Sequence, residues 1–406
     1  MAPIFKYSRL VNMFKSFYMI LLLLIFLPQR ICPQVSVKSI KNLIIKLDKA
    51  RVVADADMYL KERPVTITSF IAKRSAGGIH DYFSEGDYWW QNPADPDGPY
   101  IRKDGLTNPD NFNAHREAMR RMSIQVADLA AAYLFTGEKK YAEHAIEHLR
   151  AWFVNKNTMM NPDLKYAQAI KGVITGRGIG IIDTIHLVEV VQAIIEMEKA
   201  CVIGNDDLIK LKDWFRKYTD WMFTSKFGAD ERDNGNNHST CWYMQVAEYS
   251  RFTGDEKKLE YCRNNFKEEL LPKQMAENGS FPLELKRTKP YGYSIFNLDA
   301  MIMTAWILST PEDNLFKYKT LDGRSLKAAL AFMYPYIKDK STWSYPKDVM
   351  YFDDLPVRQP GLLFGGLAYN EPKYIALWKT LNPAPMVDEI LRNFFIRQPV
   401  LWIGGQ

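Results

Sequence analysis

The chain has 406 residues, 47% of them hydrophobic and 25% charged, so it can bury a large core as one large helical domain or as two ordinary ones. Its net charge of +6 suits an anionic partner, but this charge is too small and too dispersed to indicate nucleic-acid binding. Aromatic residues make up 13%, which is compatible with stacking on sugar rings or simply with a heavy core.

The N-terminal segment has the features of an export signal. Basic residues precede an apolar run at 17–27, which is about the length of a signal-peptide core and too short to span a bilayer. We therefore predict a signal peptide at 1–33, export to the periplasm or the medium, and no stable membrane span. Cys32 follows the run, so an outer-membrane lipoprotein with a lipid anchor on Cys32 is an open alternative.

Metal-binding patterns are weak in this sequence. Cys201, Cys241 and Cys262 have neither metal-ligand spacing nor the even number of a disulfide framework. The motif His144-Ala-Ile-Glu-His148 has the form of an inverted zinc peptidase site, but no obvious helix with a glutamate ligand follows it. The periodicity of its helix leaves both histidines on the polar flank. We interpret the motif as solvated helix surface, and we expect neither a metal nor another cofactor.

The first part of the mature chain combines one helix with a long loop. Residues 38–60 have the periodicity of an amphipathic helix. The aromatic residues at 80–90 and the prolines and glycine at 92–99 then exclude a helix or a central strand. Long irregular segments inside compact domains are usually binding loops or lids. In such a loop Trp89 and Trp90 can line a sugar cleft, or they can pin the loop to the core.

From residue 113 onward the periodicity is almost wholly helical. Two of the predicted turns repeat the sequence Tyr/Ser-x-Phe-Thr-Gly-Glu/Asp, which is a weak internal repeat. Repeated helical hairpins with no strand signal between them predict an all-α fold, an incomplete barrel or (α/α) toroid formed by one domain at 34–406. The predicted helix pairs lie at 115–135 and 141–153, 182–200 and 207–223, 238–252 and 256–271, and 294–308 and 325–336.

In such a ring the first helices of successive hairpins run parallel, so their N-termini lie at one mouth. An anion-binding cleft would need polar and ionisable residues on that rim. Residues of this kind stand at each start: His115 and Arg116, then Arg177 and Asp183, then Asn237 and His238, and finally Tyr293. Together with residues of the aromatic loop and of the glycine-rich loop at 168–180, some of these rim residues are predicted to bind the substrate. The predicted substrate-binding residues are Trp89, Trp90, His115, Arg116, Gln168 and Arg177.

Asn236, Asn237 and His238 stand side by side before the apolar face of a predicted helix. Asparagine is a favoured N-cap residue, and the free N–H groups and dipole of a helix N-terminus favour anions. A helix N-terminus also lowers the pKa of a histidine and keeps it able to accept a proton. These residues alone equally allow that Asn236 only caps the helix and that His238 only forms a hydrogen bond.

The loop at 168–180 contains four glycines before a predicted helix. It matches neither the dinucleotide fingerprint nor the phosphate loop, and we predict no strand before it. Its glycines therefore indicate a close approach of the backbone to a ligand or to a neighbouring helix.

A second chemical stretch contains Arg287 and Tyr293. A guanidinium can bind a carboxylate through two hydrogen bonds. A phenol can accept or return a proton if nearby cations lower its pKa. Pro290 and Gly292 between these residues predict that Tyr293 stays outside the helix that follows.

Together these residues resemble the alginate lyase superfamily of helical-toroid polysaccharide lyases. The stretches at 88–102, 166–183 and 282–288 are similar to its glucuronan- and alginate-cleaving branch, polysaccharide lyase family 38. The resemblance covers about residues 80–340 and implies β-elimination on a uronic acid polymer, an anionic polysaccharide, with a C4=C5 unsaturated end as product.

The resemblance also implies roles for four residues. Asn237 and Arg287 would neutralise the C6 carboxylate, His238 would be the base or a charge partner, and Tyr293 would be the acid and also a base. The chain departs from the older alginate lyases because the spacing from Arg287 to Tyr293 is one residue shorter and Trp242 falls four rather than three residues after the histidine. Which of His238 and Tyr293 abstracts the proton, and which uronate is preferred, stays open.

Two other functions are compatible with the same fold. A glycoside hydrolase would need two facing carboxylates at the rim, and Asp183 with Glu284 is the pair that the sequence offers. A glycan-binding lipoprotein without activity would use Trp89 and Trp90 as stacking platforms.

Overall fold

The computed structural model describes residues 36–403. The predicted signal peptide and Cys32 lie outside this part of the chain. Among the described residues no single helix combines the length and the hydropathy of a membrane span, and one bent pair, Gly178–Thr184 with Leu187–Lys199, meets both criteria only when its halves are taken together.

Helices dominate the described residues, as predicted. A π-helical segment, Phe266–Leu270, and short 3₁₀ turns, the longest of them at Gly178–Thr184, lie between the α-helices. The α-helices are α1 (Val37–Tyr59), α2 (Ala114–Thr136), α3 (Lys139–Phe153), α4 (Leu187–Lys199), α5 (Asn205–Thr224), α6 (Lys226–Arg232), α7 (Asn237–Thr253), α8 (Glu256–Asn265), α9 (Leu271–Gln274), α10 (Pro282–Leu285), α11 (Pro290–Leu308), α12 (Leu326–Lys338), α13 (Pro360–Ala368), α14 (Pro372–Trp378) and α15 (Asp388–Asn393).

The helices form an inner and an outer layer. Helices α2, α4, α7, α11 and α13 pack against one another in that order. Helix α3 packs on α2, α5 and α8 pack on α7, and α12 packs on α11. Most side chains of α7 and α11 are buried, because these inner helices meet neighbours on nearly every face. The prediction of an all-α fold, an (α/α) toroid, is confirmed.

Four short strands lie where the sequence predicted only a loop. Strand β1 (Phe83–Glu85) pairs in parallel with β4 (Tyr166–Ala169), and β2 (Trp89–Trp90) pairs antiparallel with β3 (Ile101–Arg102). The prediction that no strand precedes the glycine-rich loop is therefore wrong. Strands of two to four residues are too short to leave a periodic pattern, and β4 owes its conformation to a partner that is distant in sequence.

Two predicted helix boundaries are also wrong. The helix predicted at 182–200 is divided into a 3₁₀ segment and α4. Tyr293 lies inside α11, in its first turn, because Pro290 begins the helix, as proline does at a first helical position. The carboxylate of Asp348 replaces a local cap and accepts hydrogen bonds from the N–H groups of Tyr291 and Gly292, both at 2.8 Å.

The two histidines of the zinc-like motif do not share a polar flank. His148 is fully buried in α3, and neither ring nitrogen has a hydrogen-bond partner among the described residues. His144 lies 5.0 Å from it between ring centroids and contacts Glu147 and the carbonyl of Glu62. Across residues 36–403 no group of His, Cys, Asp and Glu side chains has the geometry of a metal site.

Burial of His148 should make the fold sensitive to acid. Burial, followed by the charges of His144 and Arg121, lowers the pKa of His148 from 6.5 to about 4. Between pH 6.5 and 4 this histidine is therefore protonated in the unfolded chain but neutral in the folded chain. The free energy of unfolding decreases as the pH falls through this range. We predict that His148→Leu reduces this loss by up to about 3 kcal/mol. Urea denaturation of the variant and of the wild-type protein at several pH values between 4 and 6.5 would measure the free energy of unfolding. The same dependence of this free energy on pH in both proteins would contradict the prediction.

Candidate active site

One cavity of about 360 Å³ opens at the N-terminal end of α7. All four predicted catalytic residues, Asn237, His238, Arg287 and Tyr293, line it. The N-termini of α7 and α11 therefore meet at one mouth, as the toroid prediction required. The remaining wall consists of Asp87, Tyr88, Trp89, Arg102, Gln168, Arg177, Ile179, Ile182, Asn234, Asn236, Glu389, Arg392 and Asn393.

Asn236 caps α7, and its side-chain oxygen accepts a hydrogen bond from the N–H of His238 at 3.0 Å. The buried carboxylate of Glu284, in α10, fixes the position of Asn237 by hydrogen bonds. The backbone N–H of Asn237 donates to Oε1 at 2.7 Å, and its Nδ2 lies 2.9 Å from both carboxylate oxygens. Because Glu284 takes one amide hydrogen, at most one is left for a ligand in the cavity.

His238 is oriented by a second buried glutamate, Glu231 of α6. Nδ1 of His238 lies 3.0 Å from both carboxylate oxygens of Glu231, whose side chain is fully buried. Burial raises the pKa of Glu231, and the nearby His238 acts against that rise. Nε2 of His238 makes no hydrogen bond with any described residue. A neutral ring with its proton on Nδ1 therefore presents the lone pair of Nε2 as a proton acceptor.

Tyr293 and Arg287 lie side by side on the opposite part of the wall. The Tyr293 hydroxyl is 2.6 Å from the hydroxyl of Tyr88 and accepts a hydrogen bond of 3.5 Å from Nη2 of Arg287. Burial and then Tyr88 raise the pKa of the Tyr293 phenol well above its ordinary value, and Lys289 and Arg287 only partly oppose this. The condition for a phenol that accepts a proton, a pKa lowered overall by nearby cations, is therefore not met, and the phenol is protonated at neutral pH.

Arg177, Gln168 and Trp89, three of the predicted substrate contacts, form a third part of the wall. The Arg177 guanidinium donates to the backbone oxygen of Gln168 at 2.8 Å and to its Oε1 at 3.1 Å. It lies 5.9 Å from the centre of the Trp89 ring. Burial lowers the pKa of Arg177 to about 10. No described carboxylate forms an ion pair with Arg177, so its charge is available to an anionic ligand.

Three of the predicted substrate contacts do not line this cavity. Trp90 follows Trp89 in β2, where successive side chains point to opposite faces, and its Nε1 donates to the carbonyl of Leu106. Residue His115 is 2% exposed, and its Nδ1 accepts a hydrogen bond from the N–H of Phe83. The buried guanidinium of Arg116 pairs with a carboxylate of the wall, so it supports the site from behind.

The rest of the cavity wall contains a chain of ion pairs in which positive and negative side chains alternate. Asp87 pairs with Arg116 at 2.6 Å and with Arg392 at 2.8 Å. Arg392 also pairs with Glu389 at 3.2 Å, and Glu389 accepts from Lys289 at 2.6 Å. Burial favours the protonated form of Asp87, but Arg116 and Arg392 outweigh it and lower the pKa of Asp87 to about 2. These carboxylates stay ionised and are poor proton donors.

The predicted hydrolase pair does not face the cavity. Glu284 is buried against Asn237, and Asp183 accepts hydrogen bonds from Tyr82, Ser84 and Gln168. Neither carboxylate is part of the wall. The two acids of a glycoside hydrolase flank the bond that they cleave, so Asp183 and Glu284 do not fit that function.

Sequence reasoning gave no role to several residues of the site. Tyr88 belongs to a stretch that carried the family resemblance, so a signal for it was present. Other residues act through partners that are distant in sequence, and no local pattern reveals them. These are Asp87, Asp104, Lys289, Glu389 and Arg392, whereas Glu231 precedes its partner His238 by only seven residues and lies in the preceding helix.

The alginate lyase family model matches residues 66–343. An alginate lyase from Bacteroides ovatus of known structure is 32% identical, with a TM-score of 0.78 over 90% of this chain and 96% of the other. A variant of alginate lyase A1-III, an enzyme from Sphingomonas species A1, complexed with a tetrasaccharide, is 15% identical. It superposes with a TM-score of 0.54 over 87% of this chain and 94% of the other, which shows a common fold.

A comparison with curated protein sequences gives no match. The family model nevertheless covers more than half of the chain, and the enzyme from Bacteroides ovatus exceeds 30% identity over nearly the whole of it. The chain therefore belongs to the alginate lyase family and is a polysaccharide lyase.

Proposed function

We propose that the protein is an exported lyase that cleaves uronic acid polymers, alginate or glucuronan, by β-elimination. The observation that carries the proposal is the meeting of four groups around one cavity: Nε2 of His238, the phenol of Tyr293, the guanidinium of Arg287 and the amide of Asn237. Relatives named alginate lyases support a uronate substrate. The basic and apolar residues at the N-terminus support export, and the packed toroid supports a single domain at 34–406.

The first requirement of the reaction is to neutralise the uronate carboxylate. The proton on C5 is barely acidic until the charge of the neighbouring carboxylate is compensated and fixed donors hold the enolate-like state. Arg287 can supply two N–H groups of one nitrogen, since its other donors are engaged elsewhere. The remaining amide hydrogen of Asn237 and the N-terminus of α7 add to this stabilisation. Arg177 would bind the carboxylate of a neighbouring sugar.

The second requirement is a pair of proton transfers. His238 would accept the C5 proton at Nε2 while Glu231 stabilises the charged ring through Nδ1. The electrons of the C5–H bond form the C4=C5 double bond, and the C4–O4 bond breaks. Tyr293 would give its proton to the departing O4. Since Tyr293 is protonated in the free protein, its phenol is ready as the acid, and His238 is the better candidate for the base.

Stereochemistry keeps a second form of the mechanism open. In guluronate the C5 proton and O4 lie on opposite faces of the sugar ring, so two residues on opposite sides are needed. In mannuronate and glucuronate they lie on one face, where Tyr293 could act as base and then as acid. The substrate that is cleaved therefore decides between the two forms.

Incubation with alginate and with glucuronan should produce the ultraviolet absorbance of a C4=C5 double bond. We predict that Tyr293→Phe lowers kcat by about 10²- to 10⁴-fold, because the leaving O4 then has no proton donor. Tyr100→Phe is the matched control, since Tyr100 does not line the cavity. Absence of absorbance with every uronate polymer would refute the lyase proposal, and a product without the double bond would indicate hydrolysis.

Glu231→Gln should lower kcat by about 10²-fold or more and leave KM nearly unchanged, because an amide cannot stabilise the charged imidazole or hold its ring as firmly. Asp230→Asn is the control, since Asp230 is exposed on the same helix and pairs with Lys226 instead. Initial rates at several substrate concentrations would measure both constants. Equal kcat values for the two variants would show that Glu231 has no part in catalysis.

Arg177→Gln should raise KM for a uronate polymer by roughly 10- to 100-fold, which is the loss expected for a hydrogen bond to a charged group. The effect on kcat should be smaller, because this contact lies away from the reacting carbon. Arg150→Gln provides the control, since Arg150 is exposed and pairs with Asp207 outside the cavity. A normal KM would mean that Arg177 does not contact the substrate.

A further inference from the structure

One carboxylate behind the cavity wall, that of Asp104, holds two arginines of the wall. Asp104 accepts hydrogen bonds from Nε and Nη2 of Arg287, at 3.3 and 3.2 Å. It also accepts from Nη2 of Arg102 at 2.6 Å and from the hydroxyl of Thr288 at 3.0 Å. Arg287 and Arg102 line the cavity, whereas Asp104 does not. Asp104 therefore cannot be replaced by the substrate without a rearrangement of Arg287.

The backbone brings Asp104 to this position. Asp104 follows β3, at the end of the hairpin formed by β2 and β3. The next residue, Gly105, has a φ of +77°, and a Cβ atom on it would lie 2.4 Å from the hydroxyl of Thr288. Only glycine allows the hairpin to approach the Arg287-Thr288 segment this closely. The position of Asp104 thus depends on the backbone conformation of Gly105 and on its close approach to the side chain of Thr288.

The hydrogen bonds of Arg287 determine which donors remain for a substrate. A guanidinium has five N–H donors in a rigid plane. Asp104 engages Nε–H and one hydrogen of Nη2, and the hydroxyl of Tyr293 receives the other hydrogen of Nη2. Nη1 keeps both of its hydrogens. The plane of the guanidinium is therefore fixed by contacts at two points outside the substrate.

We propose that Asp104 is a positioning residue of the lyase: it orients Arg287 so that Nη1 meets the C6 carboxylate while Nη2 stays on the Tyr293 hydroxyl. This inference rests on the proposed function. Burial alone would raise the pKa of Asp104, but the hydrogen bonds and charges of Arg287 and Arg102 lower it, so the carboxylate is ionised at neutral pH.

The charge of Asp104 also competes with that of the substrate. Arg102, Asp104 and Arg287 together carry one net positive charge, so Asp104→Asn would leave two. Without the charge of Asp104, the Arg287 guanidinium could rotate towards the substrate carboxylate and bind it at least as tightly. It would then no longer keep this carboxylate in the correct position relative to the Tyr293 hydroxyl. The variant would lose the orientation of the substrate at the reacting carbon but would keep the attraction between Arg287 and the substrate carboxylate. We therefore expect kcat to fall without a rise in KM. A merely loosened site would instead raise KM.

Steady-state kinetics on the uronate polymer that the wild-type enzyme cleaves would test this. We expect Asp104→Asn to lower kcat by about 10- to 100-fold with KM equal to or below the wild-type value. Asp97→Asn is the matched control, because Asp97 is exposed on the same hairpin and its replacement changes the net charge equally. This control should behave like the wild type. Asp104→Glu, which keeps the charge, should recover part of kcat.

A second variant keeps the test valid if Asp104→Asn does not fold. Thr288→Val removes one hydrogen bond to Asp104 without changing any charge, and it should lower kcat less, again without a rise in KM. A kcat for Asp104→Asn within about twofold of the Asp97→Asn value, or a rise in KM for either Asp104→Asn or Thr288→Val, would overturn the inference. A wild-type enzyme inactive on all uronate polymers would refute the proposed function instead.

Discussion

Two buried carboxylates hold the N-terminus of α7, and the site depends on these contacts. Glu284 binds the backbone and the amide of Asn237, and Glu231 binds the ring of His238. Burying a carboxylate is costly unless hydrogen bonds compensate it, so each glutamate is stable only while its partner keeps one orientation. Asn236 is the N-cap residue of α7, and its side chain accepts a hydrogen bond from the N–H of His238. Three consecutive side chains are thereby fixed before any substrate arrives.

The site also joins distant parts of the chain. The matched family region ends at residue 343, yet Glu389, Arg392 and Asn393 of α15 complete the cavity wall. Arg392 is tied to Asp87, which lies before the first hairpin. The segment after α15 is anchored as well, because Glu189 of α4 accepts hydrogen bonds from two backbone N–H groups at 397 and 398. Asp87 and Arg392, which lie in distant parts of the chain, thus meet in the wall of one cavity.

Long periodic helices and the shared rim could be predicted, because an amphipathic pattern and a cap such as Asn236 are local signals. The position of Trp90 could not be derived, because the alternation that separates it from Trp89 belongs to a strand of two residues, which leaves no periodic pattern. Helix α15 has only six residues and owes its place to pairing with Asp87 and Lys289. The raised pKa of Tyr293 follows from burial, which sequence spacing does not reveal.

The charge chain from Arg116 through Asp87, Arg392 and Glu389 to Lys289 has an evolutionary consequence. Most members have two neighbours of opposite sign, but among the described residues Lys289 forms an ion pair only with Glu389, so replacing Glu389 alone would leave a buried ammonium group without a counterion. Evolutionary loss of Glu389 should therefore be accompanied by loss of the charge of Lys289. Engineers who wish to reshape the cavity for another sugar acid should replace Glu389 and Lys289 together by two neutral groups, because a cation at position 389 would face Arg392.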